Sequence, residues 1–460
     1  MKSLNLLKKA REALKKPHIQ ILFLLTILAL TLRLYNITNE ALWVDEAISL
    51  SQTSRGLSEA LYLLQTDIHP PLYTILLWLW TNMFGQTEIA VRTLSALIGT
   101  MITPATYLLG KELQSKKAGL LAATLTTISP FLITYSQEAR MYTLFMLLSI
   151  LSTYYAYKYS KNRHVTGYLV TTILLIYTHY LSWILILAQA LYVLTKHPNR
   201  IKKHLLIGLG LLASYIPWNE YLRQQLQNLG GVSWIQPTTH QQIIETMIFL
   251  TGGTYMFSAT IFLLLLSTLY IYKEKKETYL LLLTLFPPTI LVLLSFHTPL
   301  IVPRYIAYLS VFIILLISTT IDNITTNNKQ KILIALLLIV LTVPSLTTLY
   351  KERTQPSWDK AAEELQDIPV GVVPDYEMLP LLYYTDKDCF KKRIHTENNQ
   401  TYSNCSNIQG YQDIEDIEKT VIAASERELT NTQRESLEQK EKQDTISYKN
   451  SPKIHLYYER

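Results

Sequence analysis

Residues 18–49 read HIQILFLLTILALTLRLYNITNEALWVDEAIS. Positions 18–35 hold a single charge, Arg33. As a helix rising 1.5 Å per residue they are about 27 Å long, close to the hydrocarbon thickness of a bilayer. Two adjacent acids, Asp45 and Glu46, follow soon after that stretch ends. An apolar span that opens into a loop carrying acids is the pattern that decides the fold.

The pattern recurs outward from there. Uncharged stretches of spanning length lie near 89–110, 118–136, 141–157, 205–219, 254–272, 278–296, 305–321 and 332–349. The stretch 165–195 is too long for one span and has cations at both ends, so it is read as a hairpin turning at His179-Tyr180. The chain of 460 residues is 49% hydrophobic and only 17% charged, where soluble domains average about 25% charged. Acids are scarce before 350 and crowded after it. A single soluble enzyme, a disordered chain and a collagenous one are excluded. The expected fold class is a polytopic α-helical membrane protein of about 11 transmembrane helices with a small C-terminal extracytoplasmic α/β domain. Three segments follow: a basic amphipathic segment 1–17 on the inner membrane surface, a membrane domain 18–350 and a soluble domain 351–460.

Lysines and arginines orient the chain. With the N-terminus inside, inner loops collect 21 of them, among them Lys111, Lys116, Lys117, Lys158, Lys161, Lys202, Lys203, Lys329 and Lys331. The outer side of the same region receives 6, namely Arg33, Arg55, Arg92, Arg140, Arg223 and Arg304. That is a positive-inside asymmetry. The net charge of +7 therefore reports membrane topology, and nucleic acid is not an expected partner. An odd number of spans places the C-terminus outside. The first span lacks a small-residue cleavage site and reads as a retained helix.

Two outer segments exceed a turn, 36–88 and 220–253. The first holds ALYLLQ and PLYTILLWLWTNMFG, helices suited to the membrane interface, with Trp78 and Trp80 at headgroup depth. The second includes Gly230-Gly231 and Trp234. In the tail, AAEELQ, EMLPLLYYT and NTQRESLEQKEK read as helices, and PVGVVP, TVIAAS, TISYKN and KIHLYYER as strands. The only two cysteines, Cys389 and Cys405, fall there and are a candidate disulfide.

Ionisable residues at span ends are costly and tend to be functional. On the outer face they gather at Asp45-Glu46, at His69 before Pro70-Pro71, at Arg92, at Glu138, Arg140 and Tyr142, at His179, and at Arg304-Tyr305. Singly, each has an ordinary reading: solvated loop acids, interfacial arginines, a capping histidine, a local Glu138–Arg140 pair. Arg33 reads most simply as an arginine reaching the interface. Together at one depth, they make a site for an anionic lipid headgroup with a general base beside it. Asp45 and Glu46 are also where a divalent cation would bind, although no ligand spacing calls for one.

Three runs carry a family resemblance: LRLYNITNEALWVDEAIS, HPPLYTILLWLWTNMFGQTEIAVRTLSALIG and AGLLAATLTTISPFLITYSQEARMYTL, with THYLSW and VPRYIAYL as later islands. They resemble the GT-C-type membrane glycosyltransferases, most closely the glycosyltransferase family 39 group of protein O-mannosyltransferases and lipid A aminoarabinose transferases. The resemblance implies sugar transfer from a polyprenyl-phosphate-linked donor, at the extracytoplasmic face, to a protein, lipid or glycan acceptor. Asp45 would be the catalytic base in an inverting reaction. Arg140 would be first among the groups holding the lipid phosphate, with His69, Arg92 and Arg304 beside it, and Glu46 would orient. By the same resemblance Glu138 falls at the second acidic position of such enzymes, Gln137 stands where some members have another acid, and His69 replaces the lysine of the aminoarabinose branch. An oligosaccharyltransferase shares this architecture, but the tail lacks a WWDYG-like run. A transporter or flippase would show internal repeats and midplane charge, which the sequence does not.

Overall fold

The uncharged stretches form helices whose ends fall where charge resumes. The computed structural model describes residues 15–65, 67–227, 238–274, 278–352, 355–365, 370–373, 378–385, 395–397, 400–402, 408–411, 421–425, 441–446 and 454–458. Residues 1–14, Trp234, Cys389, Cys405 and positions 431–440 of the expected tail helix lie outside the described residues.

Among the described residues, three helices are long and apolar enough to cross a membrane alone: Pro17–Leu34, Glu88–Leu113 and Asn328–Lys351. The first and last are only 11% buried over their apolar windows, against 56% for Glu88–Leu113. Phe23, Leu24 and Leu333 are each more than half exposed. Apolar surface on that scale is untenable in water and natural against lipid.

The other expected spans are shorter or broken, and the sequence shows why. The stretch 118–136 is two helices, Lys116–Ile128 and Pro130–Ser136, bent by 58°. Pro130 has no N–H and drives the preceding Ser129 out of helical geometry. Ser129 instead caps the second helix by accepting from the Leu132 amide. The hairpin is two helices, Val165–Ile176 and Ser182–Lys196, with His179 in the turn between them. The outer segment 220–253 holds two helices, Asn219–Gln227 and His240–Thr251, where a loop was expected. His240–Thr251 joins Thr254–Tyr270 across a 91° bend at Gly252-Gly253, both at positive φ. A Cβ on Gly253 would lie 2.0 Å from Ser345 Oγ, so only glycine fits that bend.

The chain divides into two units. One comprises Met1–Tyr35, Leu63–Tyr73 and Thr93–Leu346. Its centre is helix Tyr308–Ile324, buried at every position from Tyr308 to Ile321. This helix packs on Lys116–Ile128, Tyr142–Ser160, Thr254–Glu274 and Tyr279–Ser295. Arg33 does not reach the interface: it is fully buried and donates to the carbonyls of Ala29, Thr126 and Thr127. A cation there complements the negative end of helix Lys116–Ile128. Gly99 makes room for it, since a Cβ at that position would collide with Ser136 Oγ and press on Arg33 Nε.

The second unit comprises Asn36–Tyr62, Thr74–Arg92 and Thr347–Arg460. Among the described residues, seven strands, β1 Val370–Val373, β2 His395–Glu397, β3 Gln400–Tyr402, β4 Ile408–Tyr411, β5 Val421–Ser425, β6 Glu441–Ile446 and β7 Ile454–Tyr458, pair in the order β2-β3-β4-β1-β5-β7-β6. β1 runs parallel to β4 and β5, and the other pairs are antiparallel. β6 begins at Glu441, inside the stretch expected to be helical. Helices Trp358–Glu364 and Met378–Thr385 pack on each other through Trp358, Met378, Leu381 and Leu382, all fully buried.

Candidate active site

In the second unit, Asp45 and Glu46 open helix Val44–Thr53. Acids in a first turn complement the positive end of the helix. Neighbouring helical residues project about 100° apart, so the two acids have different surroundings. Asp45 is part-exposed, while Glu46 is fully buried. Both Glu46 oxygens accept from Arg92, Nε to Oε1 at 2.8 Å and Nη2 to Oε2 at 2.6 Å. Arg92 Nη1 also donates to the carbonyls of Ile37 at 2.9 Å and Glu40 at 2.8 Å, and Nη2 to that of Ala41 at 3.0 Å. All five guanidinium N–H groups are thus engaged, and none remains for a lipid phosphate. Arg92, expected beside the lipid phosphate, is instead paired with Glu46, and together they hold the loop before Asp45. Breaking a buried pair of this kind typically costs about 3–5 kcal/mol.

In the first unit, Pro70-Pro71 end in a Leu72 amide that donates to Tyr177 O at 2.9 Å, pinning the His69 segment to the turn carrying His179. Gln225 Nε2 donates to His69 O at 3.2 Å. Tyr73 Oη meets Ser95 Oγ at 2.8 Å, and Ser95 Oγ donates to Arg140 O at 3.3 Å. These bonds bring His69 and Arg140 together, with His69 Nε2 to Arg140 Nη2 at 3.5 Å. On its other side, His69 Nδ1 lies 2.5 Å from Asp67 Oδ1. Asp67 was not foreseen, although its place two residues before His69 was the available signal.

His179 is buried, stacked on Phe145 at 4.4 Å between ring centroids and edge-on to Tyr305 at 5.7 Å. Its Nδ1 accepts from the Leu181 amide at 3.2 Å, which places a proton on Nε2. Burial first, then the charges of His69 and Arg140, push its pKa down to about 3, so the ring is neutral. His69, His179 and Tyr305 line a cavity of about 650 Å³ whose other walls include Leu181, Leu212, Ile216, Leu226 and Leu300. Its lining is mostly apolar, and Arg140 stands behind one wall, against the lining residue His69.

Three other expected residues fall differently. Tyr142 is fully buried and packs edge-on to Tyr135 at 5.2 Å, so it is part of an aromatic core and not of a substrate surface. Glu138 accepts the Arg140 amide through its backbone carbonyl, at 2.8 Å, and is part-exposed. Arg304, in the short turn Pro303–Ile306, lies 6.0 Å from the Tyr305 ring centroid. Gln137 explains its departure from an acid: its amide donates to the carbonyls of Arg33 and Tyr35, which a carboxylate has no proton to do. Among the described residues, no group of three or more His, Cys, Asp or Glu side chains stands together to hold a metal ion.

Residues 68–218 match the family model described as dolichyl-phosphate-mannose-protein mannosyltransferase. No curated protein sequence matches the chain. Among solved structures, ArnT from Cupriavidus metallidurans bound to undecaprenyl phosphate superposes with a TM-score of 0.57 at 9% identity, covering 95% of this chain and 97% of that one. The fold is that of the GT-C-type membrane glycosyltransferases. Its apo form gives the same TM-score at 10% identity. The archaeal oligosaccharyltransferase AglB from Archaeoglobus fulgidus, in complex with an inhibitory peptide and a dolichol-phosphate, gives 0.52 at 12% identity. The chain covers 64% of that enzyme and 61% of the Archaeoglobus oligosaccharyltransferase solved with zinc and sulfate, somewhat under two thirds of their length. With the GT-C fold and outward-facing apolar helices, the chain is a multi-pass integral membrane protein.

Proposed function

We propose that the chain transfers a sugar from a polyprenyl-phosphate-linked donor to an acceptor hydroxyl at the extracytoplasmic membrane face. The observation that carries this reading is the His69–Arg140 pair at an apolar cavity of about 650 Å³, since an apolar pocket with an arginine close beside it suits a lipid phosphate. Asp45 is the general base. It takes the proton of the acceptor hydroxyl as that oxygen bonds to the anomeric carbon. The bond from that carbon to the phosphate oxygen breaks, its electron pair leaves with the polyprenyl phosphate, and the anomeric configuration inverts. Arg140 and His69 hold the departing phosphate, Asp67 orients His69, and Arg304 lies in reserve at the same membrane face. The acceptor is a protein, lipid or glycan of the cell surface. Transfer of one sugar is favoured over oligosaccharide transfer, because the tail carries no WWDYG-like run.

The reading carries a topology: N-terminus cytoplasmic, about eleven spans including the short and bent ones, and 351–460 an extracytoplasmic α/β domain. In a background with Cys389 and Cys405 replaced by serine, Ser58→Cys should react with an impermeant maleimide from outside. Lys202→Cys should react only after the membrane is opened. Both positions are exposed. The reverse pattern would put Asp45 on the cytoplasmic side and end the proposal.

A further inference from the structure

We propose that Tyr384, in the C-terminal segment, is a positioning residue for Asp45, acting by fixing the loop from which the Asp45 helix starts. The proposal rests on the reading of Asp45 as the base. The peptide groups of that loop are held at four points. Arg92 takes the carbonyls of Ile37, Glu40 and Ala41, and the Tyr384 hydroxyl accepts the Leu42 amide at 2.8 Å. The same hydroxyl donates its one proton to Glu88 Oε1. Leu42 is fully buried and stands two residues before the first residue of the helix that carries Asp45. Without Tyr384 its N–H would be a buried donor with that acceptor gone, and the loop would shift to satisfy it.

The hydroxyl is placed by a built support. Helix Met378–Thr385 sits on fully buried Met378, Leu381 and Leu382 and packs directly on helix Val44–Thr53. Burial pushes the Tyr384 phenol up, so it stays protonated and serves as donor and acceptor at once. A general base held about 1 Å out of place loses on the order of 100-fold in rate, so the Tyr384 hydroxyl reaches the chemistry through this loop.

Tyr383 supplies the matched control. It is on the same helix, and its hydroxyl donates to Gln86 O at 3.1 Å, while the Leu42 amide is taken by Tyr384. The full chain is placed in proteoliposomes with the total lipid extract of its source membranes, and polyprenyl phosphate release is measured by mass spectrometry. Tyr384→Phe should lower kcat about 10- to 100-fold with the donor KM within about twofold. It should also speed amide hydrogen exchange in the peptide 36–46. Tyr383→Phe should leave both unchanged. A Tyr384→Phe chain with wild-type kcat and exchange overturns the proposal, as does an equal loss in Tyr383→Phe. Asp45→Asn run alongside separates the two claims: if it is inactive while Tyr384→Phe is normal, only the positioning role fails, and if it is active, the base itself is misassigned.

Discussion

Asp45→Asn should reduce sugar transfer by about 10² to 10⁴-fold, the usual contribution of a positioned general base, while the protein stays folded in the membrane. Asparagine keeps the shape of the side chain and cannot take a proton. Folding should survive because the loop before Asp45 is held by other groups: the buried pair is Glu46 with Arg92, and the loop carbonyls of Ile37, Glu40 and Ala41 are held by Arg92. The measurement is polyprenyl phosphate release alongside the thermal unfolding midpoint. Lost activity with an unchanged midpoint is expected. A variant within twofold of wild-type turnover would remove Asp45 from the mechanism.

Arg140→Ala should raise the donor KM about 10- to 100-fold, because a charge-assisted hydrogen bond to an ionised group contributes about 1.5–3 kcal/mol. Part of the loss should reach kcat, since the phosphate becomes more negative as the bond to the sugar breaks. Arg140 is 5% exposed, so alanine also leaves space. Arg140→Lys, which keeps the charge but not the planar fork, should recover part of the KM. Unchanged KM and kcat in both variants would assign the phosphate to another cation.

Much of the helical framework was readable because a bilayer imposes one length and one polarity on each crossing segment. The first span, expected over 18–35, is helix Pro17–Leu34, and the hairpin turn falls at His179 as the flanking cations required. The break at Ser129-Pro130 was written in the proline, but the run around it is apolar enough to hide it. The two helices in 220–253 were missed because their polar faces read as loop.

The site was legible by residue type and not by role. Arg92 and Arg140 look alike in sequence, as arginines at outer span ends. Only the fold shows that Arg92 has its five donors spent on Glu46 and three carbonyls, while Arg140 meets His69 beside a cavity. Asp67 was within reach, two positions before His69. Tyr384 was not, because 342 positions separate it from Leu42 and no local pattern connects them.

The central claim is that a lipid-linked sugar is cleaved from its carrier and passed on by this chain. The most direct test is a mass balance in proteoliposomes holding the wild-type protein and the total lipid extract of its source membranes. The account predicts that polyprenyl phosphate and glycosylated acceptor appear one for one, and that neither forms with Asp45→Asn. Movement of intact donor across the bilayer with no polyprenyl phosphate released would contradict it and make the chain a carrier.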